Sequence, residues 1–323
     1  MGERSSDLEL SVIVPVCGRF SAPGELYTEY KAGLDALGHT YEMIFVLDGP
    51  CEEFAEGLKQ LLEDGETFTV IGLTREFGES TAIMAGFERA SGQAIVTLPA
   101  YHQIEGAEVG KLVAALESSD VAIGRRWPRA GGALERLRRG LFHGLLAFVT
   151  RLRFRDLGCG ARAFDRRVLE EINLYGDQHR FLAVLADRQG FRVREVDVRQ
   201  SPQDRYKGGY GPRVYTRGLL DIFTIFILLR FTKRPLRFFG MIGAVTFATG
   251  AVTVTVLVLE RLLLDSDLAA RPALFLASLL VVLGLQLFAL GLLGELMIFT
   301  HARTLKDYQI ESVIQFSRRP AGD

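Results

Sequence analysis

The chain has 323 residues and a formal net charge of −1, so no global field draws it to a polyanion and no nucleic-acid partner is expected. Its 48% hydrophobic content and mean hydropathy of +0.18 are high for a wholly water-soluble protein. The excess lies after residue 218, which points to a soluble part followed by a membrane part.

The stretch from Met1 to Glu9 is polar and acidic, so no signal peptide is expected. Gly2 with Ser6 formally fits a myristoylation pattern, but so short a match arises by chance. Cys17, Cys51 and Cys159 are odd in number and lack metal-ligand spacing. They read as reduced thiols of a cytoplasmic domain.

Leu10 to Val16 is rich in β-branched residues and reads as a buried first strand. Glu25 to Gly38 is helix-like, with Gly38 as the stop. Tyr41 to Leu47 is a second strand turning at Asp48, Gly49 and Pro50. A helix over Glu52 to Glu63 and a third strand over Thr67 to Leu73 follow. Gly78 to Ala90 reads as a helix whose Ser80, Ala82, Ala85 and Gly86 permit close packing on a sheet. Ala94 to Leu98 is a fourth strand. Strands alternating with helices of this length predict right-handed crossovers and a mostly parallel sheet. The first turn, from Val16 to Ser21, lacks the G-x-G-x-x-G fingerprint, so a dinucleotide fold is not expected.

In an open parallel sheet, ligands bind beyond the carboxyl ends of the strands. The chemistry is therefore expected to face Pro99 to Gln103, yet no carboxylate lies between Ala94 and Ile104.

Lys111 to Glu117 is a further helix and Val121 to Gly124 a strand. Gly124 to Gly132 is a basic, glycine-rich loop. Leu134 to Val149 is amphipathic, with Arg136, Arg138 and Arg139 near its start. Asp156 to Phe164 reads as a glycine-rich turn leading to a helix over Arg167 to Ile172. Leu182 to Gln189 is a short helix and Arg192 to Val198 an alternating strand. Ser201 to Pro212 is a polar linker.

Composition then changes. Leu219 to Phe231 is apolar but too short to cross a bilayer, which takes about 20 residues. Flanked by Arg217, Asp221, Arg230, Lys233, Arg234 and Arg237, it reads as an interfacial helix, with a buried core helix as the alternative. Phe239 to Leu259 and Ala273 to Gly294 are runs of spanning length, joined by the slightly acidic link from Glu260 to Arg271. Basic residues crowd both outer flanks, with Arg303, Lys306, Arg318 and Arg319 on the far side. The positive-inside rule then predicts a cell-membrane hairpin with both termini cytoplasmic. Gln286 and Glu295 are candidates for pairing across the helices or with a partner subunit, and Glu295 for snorkelling to the interface. The expected organisation is a cytoplasmic domain over 1–212, an interfacial helix over 213–237, a two-helix hairpin over 238–300 and a tail over 301–323.

Several stretches together resemble the family 2 glycosyltransferases that act on polyprenyl phosphates, the dolichol-phosphate-mannose-synthase-like group. Ser11 to Val16 is similar to the opening strand, and Arg75 to Gly86 to the family's Arg-Asn-Phe-Gly helix start. Gly124 to Trp127 resembles the Gly-Ser-Arg loop, and Asp156 to Phe164 the Asp-x-x-x-Gly-x-Arg-x-Phe segment. His179, Arg180 and Phe181 match a His-Arg-Phe, and Arg205 to Gly208 an Arg-x-x-Gly near the membrane. The resemblance covers roughly residues 8 to 232 plus the two-helix tail.

It implies a GT-A type, Rossmann-like α/β sheet domain. It also implies transfer of a sugar from a nucleotide-sugar donor to a polyprenyl phosphate at the cytoplasmic membrane face, and a homo-oligomer. The family uses Mg or Mn held by an Asp-x-Asp after the fourth strand, with a nearby Gln. Here Pro99 and Tyr101 stand at the aspartate positions and Gln103 alone remains. Gly18 and Arg19 replace an Asn-Glu, Leu47 and Asp48 a pair of aspartates, and Tyr210 to Pro212 a Ser-Lys-Tyr. No metal ligand set and no catalytic residue is assigned, and altered or absent metal dependence is expected.

On the resemblance, Pro15, Asp48, Gln103 and Arg125 fall at the donor, and Arg162, His179, Arg180, Arg205 and Lys207 at a phosphate or the acceptor. Asp48 reads as a base- or ribose-binding carboxylate or as an Asx turn closing its strand. His102 reads as a replacement ligand, a proton carrier or a surface histidine. Glu105 reads as a displaced carboxylate or a solvated helix start. Arg125, Arg126, Arg162, Arg180 and Arg205 fit bidentate phosphate binding from several loops, against scattered surface arginines. Arg205 and Lys207 also fit a polybasic contact with anionic lipid. Three functions stay open: a membrane transferase with arginines partly replacing the metal, an inactive scaffold or regulatory relative, and a module binding lipid phosphate alone.

Overall fold

A computed structural model describes residues 8–128, 140, 144, 154–172, 174, 176, 178–204, 235–264 and 272–301. The chain separates into two units, Met1–Gly211 and Pro212–Asp323.

Apolar residues on both faces make Leu10–Val16 a central strand, and all of β1 is buried. It pairs in parallel with β2 (Tyr41–Leu47) along its length, and with β4 (Ala94–Thr97) only as far as Ile13. β3 (Thr69–Gly72) joins β2 in parallel. Beyond β4 lie β5 (Val121–Arg126), β6 (Arg162–Asp165) and β7 (Val193–Val198), in the order β3-β2-β1-β4-β6-β5-β7. β6 runs antiparallel to β4 and β5, while β7 is parallel to β5. The sheet is the mostly parallel one that the alternation predicts.

The helices are α1 (Pro23–Asp35), α2 (Glu52–Glu63), α3 (Glu79–Arg89), α4 (Val109–Ala115), α5 (Arg166–Glu171) and α6 (Leu182–Gln189). Pro opens α1, where its missing N–H costs nothing. The Asp165 side chain caps α5 by accepting from the Arg167 N–H. Tyr30, Phe45, Phe54 and Phe164 are almost fully buried, each such ring contributing about 1.5–3 kcal/mol over leaving it in water. α3 lies close on the sheet through Gly86, where a Cβ would come 2.6 Å from Ile13 Cγ2.

Several boundaries differ from the sequence reading, the first helix running over Pro23–Asp35 rather than Glu25 to Gly38, and one strand is not expected from it. β3 is shorter than Thr67 to Leu73, as suits a largely exposed edge strand. The helix expected over Lys111 to Glu117 begins at Val109 and ends at Ala115. β5 continues past Gly124 through Arg125 and Arg126, because Asp197 and Val198 of β7 pair with them. The end of the expected glycine-rich turn is β6, a four-residue strand inside the sheet. It is too short for an alternation to register, and its partners lie far away in sequence. The amphipathic segment over 134–149, the interfacial segment over 219–231 and the linker beyond residue 204 lie wholly or almost wholly outside the described residues.

In the second unit, α7 (Pro235–Leu264) and α8 (Pro272–His301) have 30 residues each. At 1.5 Å per residue each is about 45 Å long, against a hydrocarbon core of about 30 Å. Both are candidate membrane spans, with mean hydropathy of 2.1 and 2.5. Their large apolar side chains are mostly exposed, Leu263 at 79% and Phe275 at 74% among them, unlike the core helix of a soluble fold.

The helices are antiparallel and meet through small residues. A Cβ on Gly284 would lie 2.4 Å from Phe247 N, one on Gly250 would lie 2.7 Å from Val281 N, and Gly294 abuts Pro235. α7 outlasts the apolar run that ends at Leu259, since Glu260 and Arg261 stop the apolarity without stopping the helix. Glu295 reaches across the pair to accept from Leu236 N at 3.4 Å, a favourable place for an anion at a helix N-terminus. Gln286 is exposed and does not pack between the two helices.

Candidate active site at the carboxyl ends of the strands

The carboxyl ends of β1, β2 and β4 open onto loops starting at Cys17, Asp48 and Leu98. Pro15 sits near the end of β1, opposite Val46 of β2. Parallel strands point alternate residues to alternate neighbours. Val16 serves β2, since its carbonyl accepts from Asp48 N, and Ile13 serves β4, since its carbonyl accepts from Leu98 N. Pro15 therefore faces the side where β4 has already left the sheet, so its missing N–H leaves no gap in the ladder.

The turn after β4 is filled by its own residues. Pro99, Ala100, His102 and Gln103 are buried, and Tyr101 is the half-exposed side chain among them. The Pro99 carbonyl accepts from the Tyr30 hydroxyl at 2.8 Å. Gln103 spans the floor. Its Oε1 accepts from Gly160 N at 2.7 Å, and its Nε2 donates to the Tyr101 hydroxyl at 2.6 Å and the Gly158 carbonyl at 3.3 Å. His102 is buried, not a surface histidine. Its Nδ1 meets a Glu29 carboxylate oxygen, whose partner oxygen accepts from Gly106 N at 2.9 Å. Its Nε2 is buried without a partner. Glu105 is half-buried and precedes a 3-10 turn over Gly106–Glu108.

Asp48 closes no local Asx turn. Its two oxygens accept from Phe77 N at 2.7 Å and Gly78 N at 2.9 Å, fastening the entry of α3 to the end of β2. Burial pushes the nearby Cys17 thiol far up, and Asp48 adds to the effect, so the thiol stays protonated.

The arginines divide. Arg125 pairs with Asp197 and, with Lys111, Arg155 and Arg194, lines a groove beside α4. Arg126, the next residue along β5, points to the other face. It is 7% exposed and holds Asp156 with two bonds of 2.8 and 2.9 Å. It is therefore a buried ion-pair partner, not a scattered surface arginine. Arg162 is buried and donates to the carbonyls of Cys159 at 3.0 Å and His179 at 2.6 Å. Burial weakens its hold on the proton, with Glu79 opposing.

His179 is buried beneath α3. Its Nδ1 lies 3.2 Å from Ser80 Oγ and its Nε2 3.3 Å from Glu79. Burial, then Arg162 and Arg180, lower its pKa to about 3, so the ring is neutral. Arg180 is exposed. Arg205 and Lys207 lie outside the described residues. The candidate set is thus not one cluster. Asp48, Gln103 and Pro15 ring the strand ends, Arg162 and His179 are internal braces, and Arg125 faces a separate groove.

Two members of the site carry no role in the sequence reading, where Arg19 appears only as a replacement for an Asn-Glu and Asp204 does not appear. Arg19, after β1, lies over the Tyr101 ring, 3.9 Å from its centroid. Asp204, after β7, accepts from Arg19 Nη2 at 3.1 Å and from Arg126 Nη1 at 3.4 Å. Arg19 and Asp204 are 185 residues apart, and nothing local in either stretch signals the pairing.

These residues do not fit a divalent ion at the turn after β4. Pro99 offers only a carbonyl, already engaged by Tyr30. The Tyr101 phenol is pushed up to about 12, mainly by burial, and stays neutral. Both ends of Gln103 are taken, and Asp204 is held by two guanidinium groups. Hard cations seek several free anionic oxygens, and this donor set has none to give.

The sheet order, the open strand ends and the loops over them define a nucleotide-sugar type of fold. The Glycosyl transferase family 2 model matches residues 11–173, half of the chain, and the chain belongs to that family. A dodecaprenyl-phosphate galacturonate synthase from Rhizobium johnstonii is 26% identical over 92% of this chain and 89% of its own length. An undecaprenyl-phosphate 4-deoxy-4-formamido-L-arabinose transferase from Edwardsiella ictaluri is 29% identical over 95% and 94%. In fold, mannosyl-3-phosphoglycerate synthase from Rubrobacter xylanophilus superposes with a TM-score of 0.52 at 15% identity, over 68% of this chain and 74% of that one. Glucosyl-3-phosphoglycerate synthase from Mycobacterium tuberculosis, in complex with Mn2+ and UDP-glucose, superposes with a TM-score of 0.51 at 15% identity, over 68% and 78%.

Proposed function

We propose that this chain transfers a glycosyl group from a nucleoside-diphosphate donor to a polyprenyl phosphate at the cytoplasmic face of a cell membrane, with altered or absent dependence on a divalent ion. Relatives aligned over nearly their whole length act on polyprenyl phosphates, and two spanning-length helices supply a membrane setting. The observation that carries the metal reading is the turn after β4, where Tyr101, Gln103 and Arg19 stand in contact at the place expected for a carboxylate pair.

The chemistry asks little of a base. A phosphate monoester carries a charge of about −1.5 to −2 near pH 7, so its oxygen can attack the anomeric carbon without losing a proton. The new carbon–oxygen bond forms as the bond to the donor diphosphate breaks, and the electron pair passes to the leaving phosphate oxygen. Charge is conserved: the acceptor loses one negative charge on becoming a diester, and the leaving diphosphate gains one. Stabilising that developing charge is the main task of the site, which agrees with an assignment of no catalytic acid or base. The test is transfer in vesicles that contain polyprenyl phosphate. EDTA is expected to change the rate by less than about twofold. Strong inhibition restored by Mg or Mn defeats the metal reading.

One observation favours a second reading, an inactive scaffold or regulatory relative. Arg19, Asp204, Arg126 and Asp156 already satisfy one another's charges. On that reading, calorimetric titration with nucleotide sugars gives no heat. Tight donor binding removes it.

A further inference from the structure

Arg19 is held on one edge and open on the other. Nη2 donates to Asp204 at 3.1 Å, and no hydrogen bond engages the other two guanidinium nitrogens among the described residues. Its side chain is 42% exposed, while that of Asp204 is 5% exposed. The second oxygen of Asp204 accepts from Gln200 Nε2 at 2.8 Å and from Arg126 Nη1, so the carboxylate is fixed in place. Beneath the guanidinium, the Tyr101 ring takes its charge on the π face. The Tyr101 hydroxyl accepts from Gln103, which aims it and leaves its own proton without a hydrogen-bond acceptor among the described residues.

The arrangement is a positive group oriented by a buried anion and an aromatic face, with free donors toward solvent. A divalent ion on two carboxylates has the same design. It too is neutral overall, and it receives a diphosphate because the charge with open positions is the cation. A guanidinium serves phosphate oxygens with paired donors of fixed geometry.

We propose that Arg19 binds the donor's diphosphate in the role a metal ion fills in other members of the family. The Tyr101 hydroxyl is a second, neutral donor, and Asp204 is the positioning residue. The ligand class is a nucleoside diphosphate, free or as the leaving half of a nucleotide sugar. The inference rests on the transferase reading for its biological setting but is tested without transfer.

The experiment is calorimetry on the full chain in nanodiscs with UDP, GDP, CDP and TDP in turn, in EDTA. Wild type is expected to bind at least one of them without metal. Arg19→Ala is expected to weaken that binding at least tenfold and Asp204→Asn about threefold or more, with Tyr101→Phe costing a smaller factor. Arg19→Lys should restore only part of the loss, since an ammonium lacks the paired donors. Arg19 is exposed, so an unchanged thermal midpoint for Arg19→Ala keeps the comparison clean. Equal affinity for wild type and Arg19→Ala, binding that appears only when Mg or Mn is added, or no binding of any diphosphate overturns the inference. Metal-free binding lost with Arg19→Ala, but no sugar reaching polyprenyl phosphate, overturns the transferase reading and leaves the inference standing.

Discussion

At the scale of single residues, the most consequential charge is one that is absent. His179 is buried and neutral with a pKa near 3, against 6.5 in the unfolded chain. Between those values the unfolded state binds the proton and the folded state does not. Stability is therefore whole above pH 6.5 and falls as pH drops through the window from 6.5 to 3. By pH 5 the loss is about 2 kcal/mol, and most carboxylates have not yet begun to protonate there. Thermal midpoints of the full chain at pH 7 and pH 5 should show the drop, and His179→Asn should flatten it. A wild-type midpoint that does not move between the two values contradicts a buried neutral ring. Arg126 gives a contrasting case. Burial works against its charge, but Asp156 more than offsets this. Arg126→Met would take two charge-assisted bonds from Asp156, whose side chain is 3% exposed, at a cost of about 3–5 kcal/mol, while Asp204 keeps Arg19 and Gln200. Adding Asp156→Leu should return part of that, which a merely local packing defect would not do.

At the scale of elements, β1 to β4 and their helices were legible because each carries its own signal. Leu10–Val16 is apolar except for Ser11, Gly38 stops the first helical stretch, and the small residues of α3 announce a helix pressed on a sheet. Gly86→Val tests that contact. The added methyls meet Ile13 and Val46, so the variant should lose about 1–3 kcal/mol, while Glu88→Ala on the exposed side of α3 should stay within about 0.5 kcal/mol. β6 was not legible, because four residues between two distant strands show no period of their own. The site follows the same division. Motif matching found Asp48, Gln103, Arg162 and His179, but their roles came from partners far along the chain. Asp48 takes N–H groups about thirty residues away, at Phe77 and Gly78, and Arg162 donates to the carbonyls of Cys159 and His179. Arg19 is legible only as a departure from a family motif and Asp204 carries no local signal, and it is the sheet's strand order that brings the two together beside Tyr101.

At the scale of the whole molecule, the antiparallel hairpin constrains topology. Gly294 of α8 abuts Pro235 of α7, and Glu295 reaches Leu236 N, so the start of α7 and the end of α8 lie at the same end of the pair. If the pair spans a bilayer, the chain before α7 and the chain after α8 are on one side, and the link between the helices is on the other. The sequence weights that choice: Arg230, Lys233, Arg234 and Arg237 precede or open α7, and Arg303, Lys306, Arg318 and Arg319 follow α8, while the link holds Asp265 and Asp267. Short basic flanks are retained on the cytoplasmic side. A nucleotide sugar is a water-soluble anion, and under the proposed transfer that orientation would set the strand-end loops on the side where such a donor is made. Alkaline phosphatase folds only outside the cytoplasm, so a fusion within residues 265–271 should be active and one after residue 301 inactive in a bacterial host. The opposite pattern would place the strand-end site outside the cell and remove the donor on which the proposed transfer depends. Activity at both positions would mean that the helices do not form a spanning hairpin. Neutralising Arg303, Lys306, Arg318 and Arg319 together should leave the pattern unchanged, because the four basic residues around the start of α7 still hold the first helix in place. If that variant inverts, the flank after α8 rather than the one before α7 directs insertion.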